Sequence, residues 1–368
     1  MKQVRFGIIG MGVQGSLYAS ILTGREHPGR GPLPRPEGCM ELIYPSYYKV
    51  FECVAGACPD SCCHEWDVQV DEKSAARYRS MEGPLGDALR EHLYDEEGQT
   101  YLRNVGGRCP MWRDDGLCRI QAERGHEELC TVCQQFPRLR HDYGDFVELG
   151  LELSCPEAAR LILESPLEWV TETAPGGEEP EYDGEIMEIL KASRPRALEL
   201  LEDGAYTVPE RLRLLLMYGY HIQALIDGAE NAPFDPASAL AEAAQFAGAG
   251  DAAALAGYYR GLEVLTDRWR EKLDALTAPE WAEGLCRIAQ YAVLRHWYQA
   301  VSDWDLSCRV KMLLSGCALI ARLPGALADN AQLWSKEIEN SAENLDALLD
   351  GAYTEAALTD ANLLGLLR

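Results

Sequence analysis

Nine of the chain's thirteen cysteines fall between Cys53 and Cys155. Their order is Cys53-x4-Cys58-x3-Cys62-Cys63, then Cys109-x8-Cys118, Cys130-x2-Cys133 and Cys155. Thiolates repeated at short spacings can converge on one soft cation or an iron-sulfur cluster, because each brings a negative, polarisable donor and the intervening turns are short. A disulfide framework is the rival use. Thirteen is odd, the chain is far longer than the small secreted scaffolds that need staples, and residues 1–30 show no long apolar core followed by a small-residue cleavage site. The segment therefore reads as a metal site whose thiols stay reduced in a cytoplasm. Buried thiols packing as small hydrophobes are the plainer alternative.

Composition bounds the rest. The 368 residues allow two or three domains, and 47% apolar residues can build a core. Thirty-four basic against fifty-nine acidic residues leave a net charge of −25. That charge repels phosphate backbones and anionic lipid, so neither nucleic acid nor membrane insertion is expected. It favours solubility and can gather Lys-rich partners. The apolar run Met312 to Ala321 is too short to span a bilayer.

At the start, Val4 to Ile9 reads as a strand, followed by Gly10-Met-Gly12-Val-Gln-Gly15 and a helical stretch from Ser16 to Leu22. This is the order a dinucleotide fingerprint requires, with the glycines allowing a tight turn, a close approach to pyrophosphate and helix-strand packing. The stretch resembles the opening of the glucose-fructose oxidoreductase family of NAD(P)-dependent dehydrogenases, and Gly38-Cys-Met-Glu-Leu42 resembles the start of its second strand. The resemblance ends at Ile43-Tyr44-Pro45-Ser46-Tyr47-Tyr48, where the ribose-binding acid is missing and no further βαβ units follow. Residues 1–42 therefore read as a truncated fragment, with a Gly/Pro-rich linker at residues 29–38.

Further motifs surround the cysteines. They include Gly56-Ala-Cys58-Pro-Asp-Ser-Cys62-Cys63-His64-Glu-Trp66, Gly107-Arg-Cys109-Pro-Met-Trp and Asp115-Gly-Leu-Cys118-Arg-Ile-Gln121. Cys133-Gln-Gln-Phe136-Pro137-Arg138 and Leu153-Ser-Cys155-Pro156-Glu157-Ala-Ala-Arg160 follow, and near the end comes Trp334-Ser-Lys-Glu-Ile-Glu-Asn-Ser-Ala-Glu-Asn344-Leu. Together, from about residue 44 to the C-terminus, these segments resemble the flagellin lysine-N-methylase family. The resemblance implies an enzyme that uses S-adenosylmethionine to methylate lysine ε-amines of flagellin or another Lys-containing surface protein, and that carries an iron-sulfur cluster. It also implies a ligand set drawn from Cys53, Cys58, Cys62, Cys63, Cys109, Cys118, Cys133 and Cys155.

The residues themselves support a narrower statement. Adjacent Cys62 and Cys63 point apart in an extended chain, and eight cysteines could serve two centres. Spacing favours Cys130 as the chelating partner of Cys133, whereas the resemblance leaves Cys130 out. Zinc and a [4Fe-4S] cluster both accept four thiolates; the resemblance favours the cluster. Only the first half of a Cys-x3-Cys-x2-Cys radical signature is present, at Cys58-x3-Cys62, so radical and polar methyl transfer both stay open. A lysine amine must lose its proton before attacking a sulfonium methyl. Asp71, Tyr143, Glu148, Glu157 and His64 are candidate proton acceptors or partners, and Arg138 is a candidate for holding the cofactor carboxylate.

The elements that must position these groups divide into a cysteine-rich domain at residues 43–165 and an α-helical domain at residues 166–368, giving a mainly α protein. After an acid- and Gly/Pro-rich loop from Thr171 to Pro180, helical periodicity covers Glu185 to Leu201, Pro209 to Gly228, Pro236 to Phe246, Asp251 to Leu276, Pro279 to Val301, Asp305 to Ile320 and Ala328 to Leu349. The aromatic stripe from Tyr291 to Trp304 is suited to the core or to a cleft wall. Two further readings stand beside the methylase. One is a non-catalytic zinc- or iron-binding module with a helical partner-binding domain, and the other is an NAD(P)-dependent oxidoreductase resting on Gly10, Gly12 and Gly15.

Overall fold

A computed structural model describes residues 39–64, 67–96, 98–230 and 232–368. The glycine fingerprint and its flanking strand and helix lie outside the described residues. The described chain is mainly α, with two small sheets.

β1 (Cys39–Pro45) runs without a break past residue 42 and leads into the cysteine-rich part. That part contains β2 (Val68–Val70), α1 (Glu72–Ser80), α2 (Gly83–His92), β3 (Leu93–Glu96), β4 (Gln99–Leu102), α3 (Arg119–Arg124) and α4 (Thr131–Gln135). It continues through β5 (Arg138–Asp142), β6 (Phe146–Leu151), α5 (Pro156–Glu164) and β7 (Trp169–Pro175). The larger sheet has the order β5-β6-β1-β7, with β1 parallel to β6 and antiparallel to β7. β1 thus belongs to the sheet that carries the cysteine-rich part, and it is not the second strand of a dinucleotide fold. The smaller sheet, β2-β4-β3, is antiparallel.

The helical part comprises α6 (Gly184–Glu202), α7 (Val208–Ile226), α8 (Pro236–Phe246), α9 (Ala252–Gly261), α10 (Asp267–Asp274), α11 (Gly284–His296), α12 (Leu306–Ile320), α13 (Leu327–Ile338), α14 (Ala342–Thr354) and α15 (Asp360–Leu366). Local chemistry sets several of these boundaries. Asp235 caps Ser238 N just before Pro236 opens α8, and Thr207 and Glu210 form a capping box at the start of α7. Two periodic runs are each divided in two. Asp251 to Leu276 breaks where Thr266 accepts from Trp269 N and starts α10, and Ala328 to Leu349 breaks where Ser341 accepts from Asn344 N and starts α14. In both cases a side-chain cap restarts the helix while the apolar spacing continues across the break. Of the expected loop from Thr171 to Pro180, residues 171–175 instead form the end of β7, an edge strand whose one acid, Glu172, is exposed and pairs with Lys49, whereas residues 176–180 carry no regular structure.

There are two hydrophobic cores. The main one spans the helical part, α5, β6 and Cys155. The smaller contains Val68, Tyr78, Leu89, Leu102 and Met111 with Cys109 and Cys130, and Cys63, Cys118 and Cys133 pack against it. In the main core α12 meets α13 at Gly316, where an added Cβ would lie 2.7 Å from the Trp334 ring. Gly316→Ala is therefore expected to destabilise the protein by about 1–3 kcal/mol through overpacking, despite the better helix propensity of alanine, read as a lower urea midpoint. An unchanged or raised midpoint would show that the Trp334 indole can move aside.

Candidate metal centre and the buried network beside it

All thirteen cysteines are free thiols. Nine of them gather into two neighbouring groups, divided at the Cys62–Cys63 peptide. In the first group, burial pushes the Cys155 thiol up to about 12, and nearby Cys58 and Cys53 add to the rise. The raised Cys62 thiol responds to Cys63 first and then to Cys53 and Cys155, which places it among them. In the second group, hydrogen bonds from Cys109 and Cys62 hold the Cys63 thiol far below its ordinary value, at about 3. Cys118 feels both Cys63 and Cys130, and Cys133 is bonded to Cys130. Cys155, the partner of Cys53, Cys58 and Cys62, belongs to the main core, whereas Cys109 and Cys130 belong to the small one with Cys63, Cys118 and Cys133 packed against it; the two groups adjoin, since Cys62 is hydrogen-bonded to Cys63 and Cys133 also feels Cys62.

The way the chain delivers these thiols repeats. Cys118, Cys130 and Cys155 are the N-cap residues of α3, α4 and α5, and backbone amides of each first turn act to lower the thiol's pKa against burial. Cys63 and Cys109 are joined through their backbones, with Cys109 N donating to Cys63 O at 2.8 Å. His64 meets Trp112 edge-on at 4.3 Å, and Arg108 stacks over the same ring. The loop at residues 55–57 lies against residues 115–117 so closely that a Cβ on Gly116 would sit 2.9 Å from Gly56 Cα. Among the described residues, no three His, Cys, Asp or Glu side chains are mutually arranged to hold an ion as they stand. The donor set nonetheless suits thiophilic metal: all of the gathered donors are sulfur, and several already touch in pairs.

The other sequence candidates lie elsewhere. Asp71 caps α1 through Ser74 N and receives Thr131 N and Oγ1, both at 2.9 Å. Burial would raise its carboxyl, but these bonds hold it low, at about 2. Glu157 pairs with Arg160 at 2.6 Å on α5. Tyr143 lies in an aromatic cluster with Phe146, Tyr182 and Tyr298, and burial raises its hydroxyl. Glu148 forms a buried two-bond ion pair with Arg194. Arg138 covers the Phe51 ring, with its guanidinium 5.1 Å from the centroid, and donates to Phe51 O at 3.5 Å, two residues before Cys53.

Beside Cys155 the structure also holds a buried polar network that periodicity concealed. Arg295 lies between two fully buried carboxylates, 3.3 Å from Glu152 Oε1 and 3.3 Å from Glu339 Oε2. Glu339 also accepts from Tyr291 at 2.9 Å, from His296 Nε2 at 2.9 Å and from Ser335. Burial raises Glu152 to about 7, whereas Arg295 and His296 overcome burial and hold Glu339 at about 2. The other Glu152 oxygen, Oε2, is buried without a hydrogen-bond partner. Tyr291 Oη accepts from Leu153 N at 3.3 Å, so the network lies directly under the Leu153–Cys155 turn. A cavity of about 30 Å³, room for roughly two waters, adjoins it between Tyr47, His141, Trp169, Tyr291 and Arg295. The sequence signal for this network was an acid at Glu152 inside the apolar run Phe146 to Leu153.

Farther along α13, burial raises Glu337 to about 7, opposed by bonds from Thr266 and Leu265. Its Oε1 has no partner. A carboxyl favoured in its neutral form stabilises the fold fully below about pH 4.5, and that contribution is lost as pH rises through 7. Glu337→Gln is therefore expected to be near neutral at pH 4.5 and to stabilise by about 3 kcal/mol at pH 8, at roughly 1.4 kcal/mol per pH unit. Urea midpoints at the two pH values check this, and an equal effect at both would contradict it.

Comparison with known proteins gives three informative matches. The chain is 31% identical over 134 residues to the lysine-N-methylase of Salmonella typhimurium and, equally, to that of Salmonella choleraesuis. The match covers 34% of this chain and spans about a third (33%) of the length of those relatives. It is 30% identical over 134 residues to the flagellar biosynthetic protein FliU of Salmonella muenchen, covering 79% of that protein. No family model and no solved structure matches the chain. Because it is matched along most of FliU at this identity, the chain belongs to the family of FliU.

Proposed function

We propose that the protein is a cytoplasmic, S-adenosylmethionine-dependent protein lysine N-methyltransferase acting on flagellin or a similar Lys-bearing surface protein, with a cysteine-ligated [4Fe-4S] cluster. The observation that carries the reading is the convergence of nine thiols into two groups within a chain related to lysine-N-methylases. Cys53, Cys58, Cys62 and Cys155 would hold one centre, and Cys63, Cys109, Cys118 and Cys133 a second, with Cys130 bonded to Cys133 as an alternate donor. A bound cluster would offer a chelating position for the amino and carboxylate groups of the cofactor only where one iron lacked a cysteine, so one of the eight thiols would have to stand free of the metal.

The chain's own residues set the conditions for attack on the methyl group. An incoming lysine is attracted by the protein's net charge of −25. Its ammonium proton must leave before the nitrogen lone pair can displace the sulfonium. Glu152, raised to about 7 by burial, and Arg295 form a buried polar floor beneath Cys155. Arg138, fixed over Phe51, presents a guanidinium beside the Cys53 loop that suits a carboxylate. Among the described residues no helix is long and apolar enough to cross a membrane.

The test is purification without oxygen, with iron, acid-labile sulfide and zinc measured beside the visible spectrum before and after adding S-adenosylmethionine. Iron and sulfide in equal amounts with a cofactor-induced spectral change are expected. Zinc alone, with no response to the cofactor, would replace the enzyme reading with a structural metal module.

A further inference from the structure

Asp60 sits between Cys58 and Cys62, and residues far along the chain hold its carboxylate. Gln332 Nε2 donates to Asp60 Oδ2 at 2.8 Å and to Ser154 O at 2.7 Å. Lys336 Nζ meets Asp60 Oδ1 at 3.1 Å. Gln332 and Lys336 are four residues apart on α13 and so share one helix face. One amide therefore ties the Cys58–Cys62 loop to the residue before Cys155. Gln332 is buried, and the Lys336 and Asp60 side chains are only 14% and 17% exposed, so these bonds are shielded from water. The platform is itself fixed, because Trp334 on the same helix packs into α12 at Gly316.

The two cysteine groups differ in this respect. Cys63, Cys109, Cys118, Cys130 and Cys133 come from one stretch of chain and share the small core. Cys53, Cys58 and Cys62 lie on a surface loop, whereas Cys155 is anchored at the head of α5 in the main core. We infer that α13 closes this first group: Gln332 and Lys336 are positioning residues that set the Cys58–Cys62 loop against Cys155, so that the four thiols reach one centre only while the helical body holds the loop. The inference rests on the reading that these cysteines bind metal.

The experiment uses the full chain and two variants. Gln332→Glu keeps the shape, removes the donor and sets a like charge against Asp60; Lys336→Met keeps the apolar stem and removes the charge. Two quantities are read beside helix content by circular dichroism. The first is the iodoacetamide alkylation rate of each thiol in reduced, metal-free protein, mapped by mass spectrometry. The second is iron and sulfide content after reconstitution. Gln332→Glu is expected to raise alkylation of Cys155 and Cys58 by about threefold or more through local opening, with Cys109 and Cys133 unchanged, and to lower bound iron by about half. Lys336→Met is expected to shift both in the same direction by less, and it decides the matter if Gln332→Glu fails to fold. Wild-type alkylation patterns and iron contents in the folded variants would overturn the inference. A wild-type protein that takes up no iron would instead overturn the metal reading, while the alkylation pattern still reports whether α13 holds the loop.

Discussion

Arg295→Met is expected to destabilise the protein by about 3–5 kcal/mol, because it leaves a buried carboxylate without its cation. Arg295 is the cation shared by Glu152 and Glu339, both fully buried. Its removal leaves Glu339, held near 2 chiefly by that guanidinium against burial, with only His296 as a potential counter-charge. Burial favours the neutral imidazole at His296, so the missing positive charge is not readily replaced. Methionine fills much of the space, which makes the loss mainly electrostatic. Urea unfolding of the single variant and of Arg295→Met/Glu152→Gln separates the causes. The second change should be less harmful in the Arg295→Met background than in the wild type, because it removes an acid that no longer has its cation. Strict additivity would show that Glu152 and Arg295 act independently.

The second large effect concerns the thiols. Cys155→Ala is expected to abolish the centre formed with Cys53, Cys58 and Cys62 while leaving the other group's metal, so total bound metal falls by about half. Lysine methylation should fall by more than the 10- to 100-fold typical of losing a residue that merely supports a ligand. Cys118→Ala should deplete the other group instead. It should also loosen the small core, against which Cys118 packs, and lower the urea midpoint. Metal analysis and denaturation of both variants check this. Complete loss of metal from either single change would show that all the thiols serve one centre.

These expectations depend on contacts that the sequence reveals unevenly. Helix α8 could be read to the residue from Asp235, Pro236 and the apolar spacing, because capping and periodicity are local. The breaks before α10 and α14 were hidden, since Thr266 and Ser341 restart each helix without disturbing the spacing. The second half of β7 was read as a loop because Thr171, Glu172 and Pro175 suit a turn as well as they suit an exposed edge. The cysteines announced themselves by number and spacing. Their division did not, because it requires Cys155 to meet Cys53 and Cys58 across about a hundred residues of chain. Gln332 gave no signal, and Lys336 entered only within the Trp334-Ser-Lys motif with no hint of its contact: a polar stripe on an amphipathic helix looks the same whether it faces water or a cysteine loop.

The most direct measurement is methyl transfer itself. The anaerobically purified full chain, supplied with S-adenosylmethionine carrying an isotopically labelled methyl group and with purified flagellin, should place label on lysine side chains, seen as the mass increment of the labelled methyl on lysine-containing peptides. Label on lysine that disappears in Cys155→Ala is the expected result. Iron-loaded wild-type protein that transfers no methyl group to flagellin or to other lysine-bearing surface proteins would contradict the account.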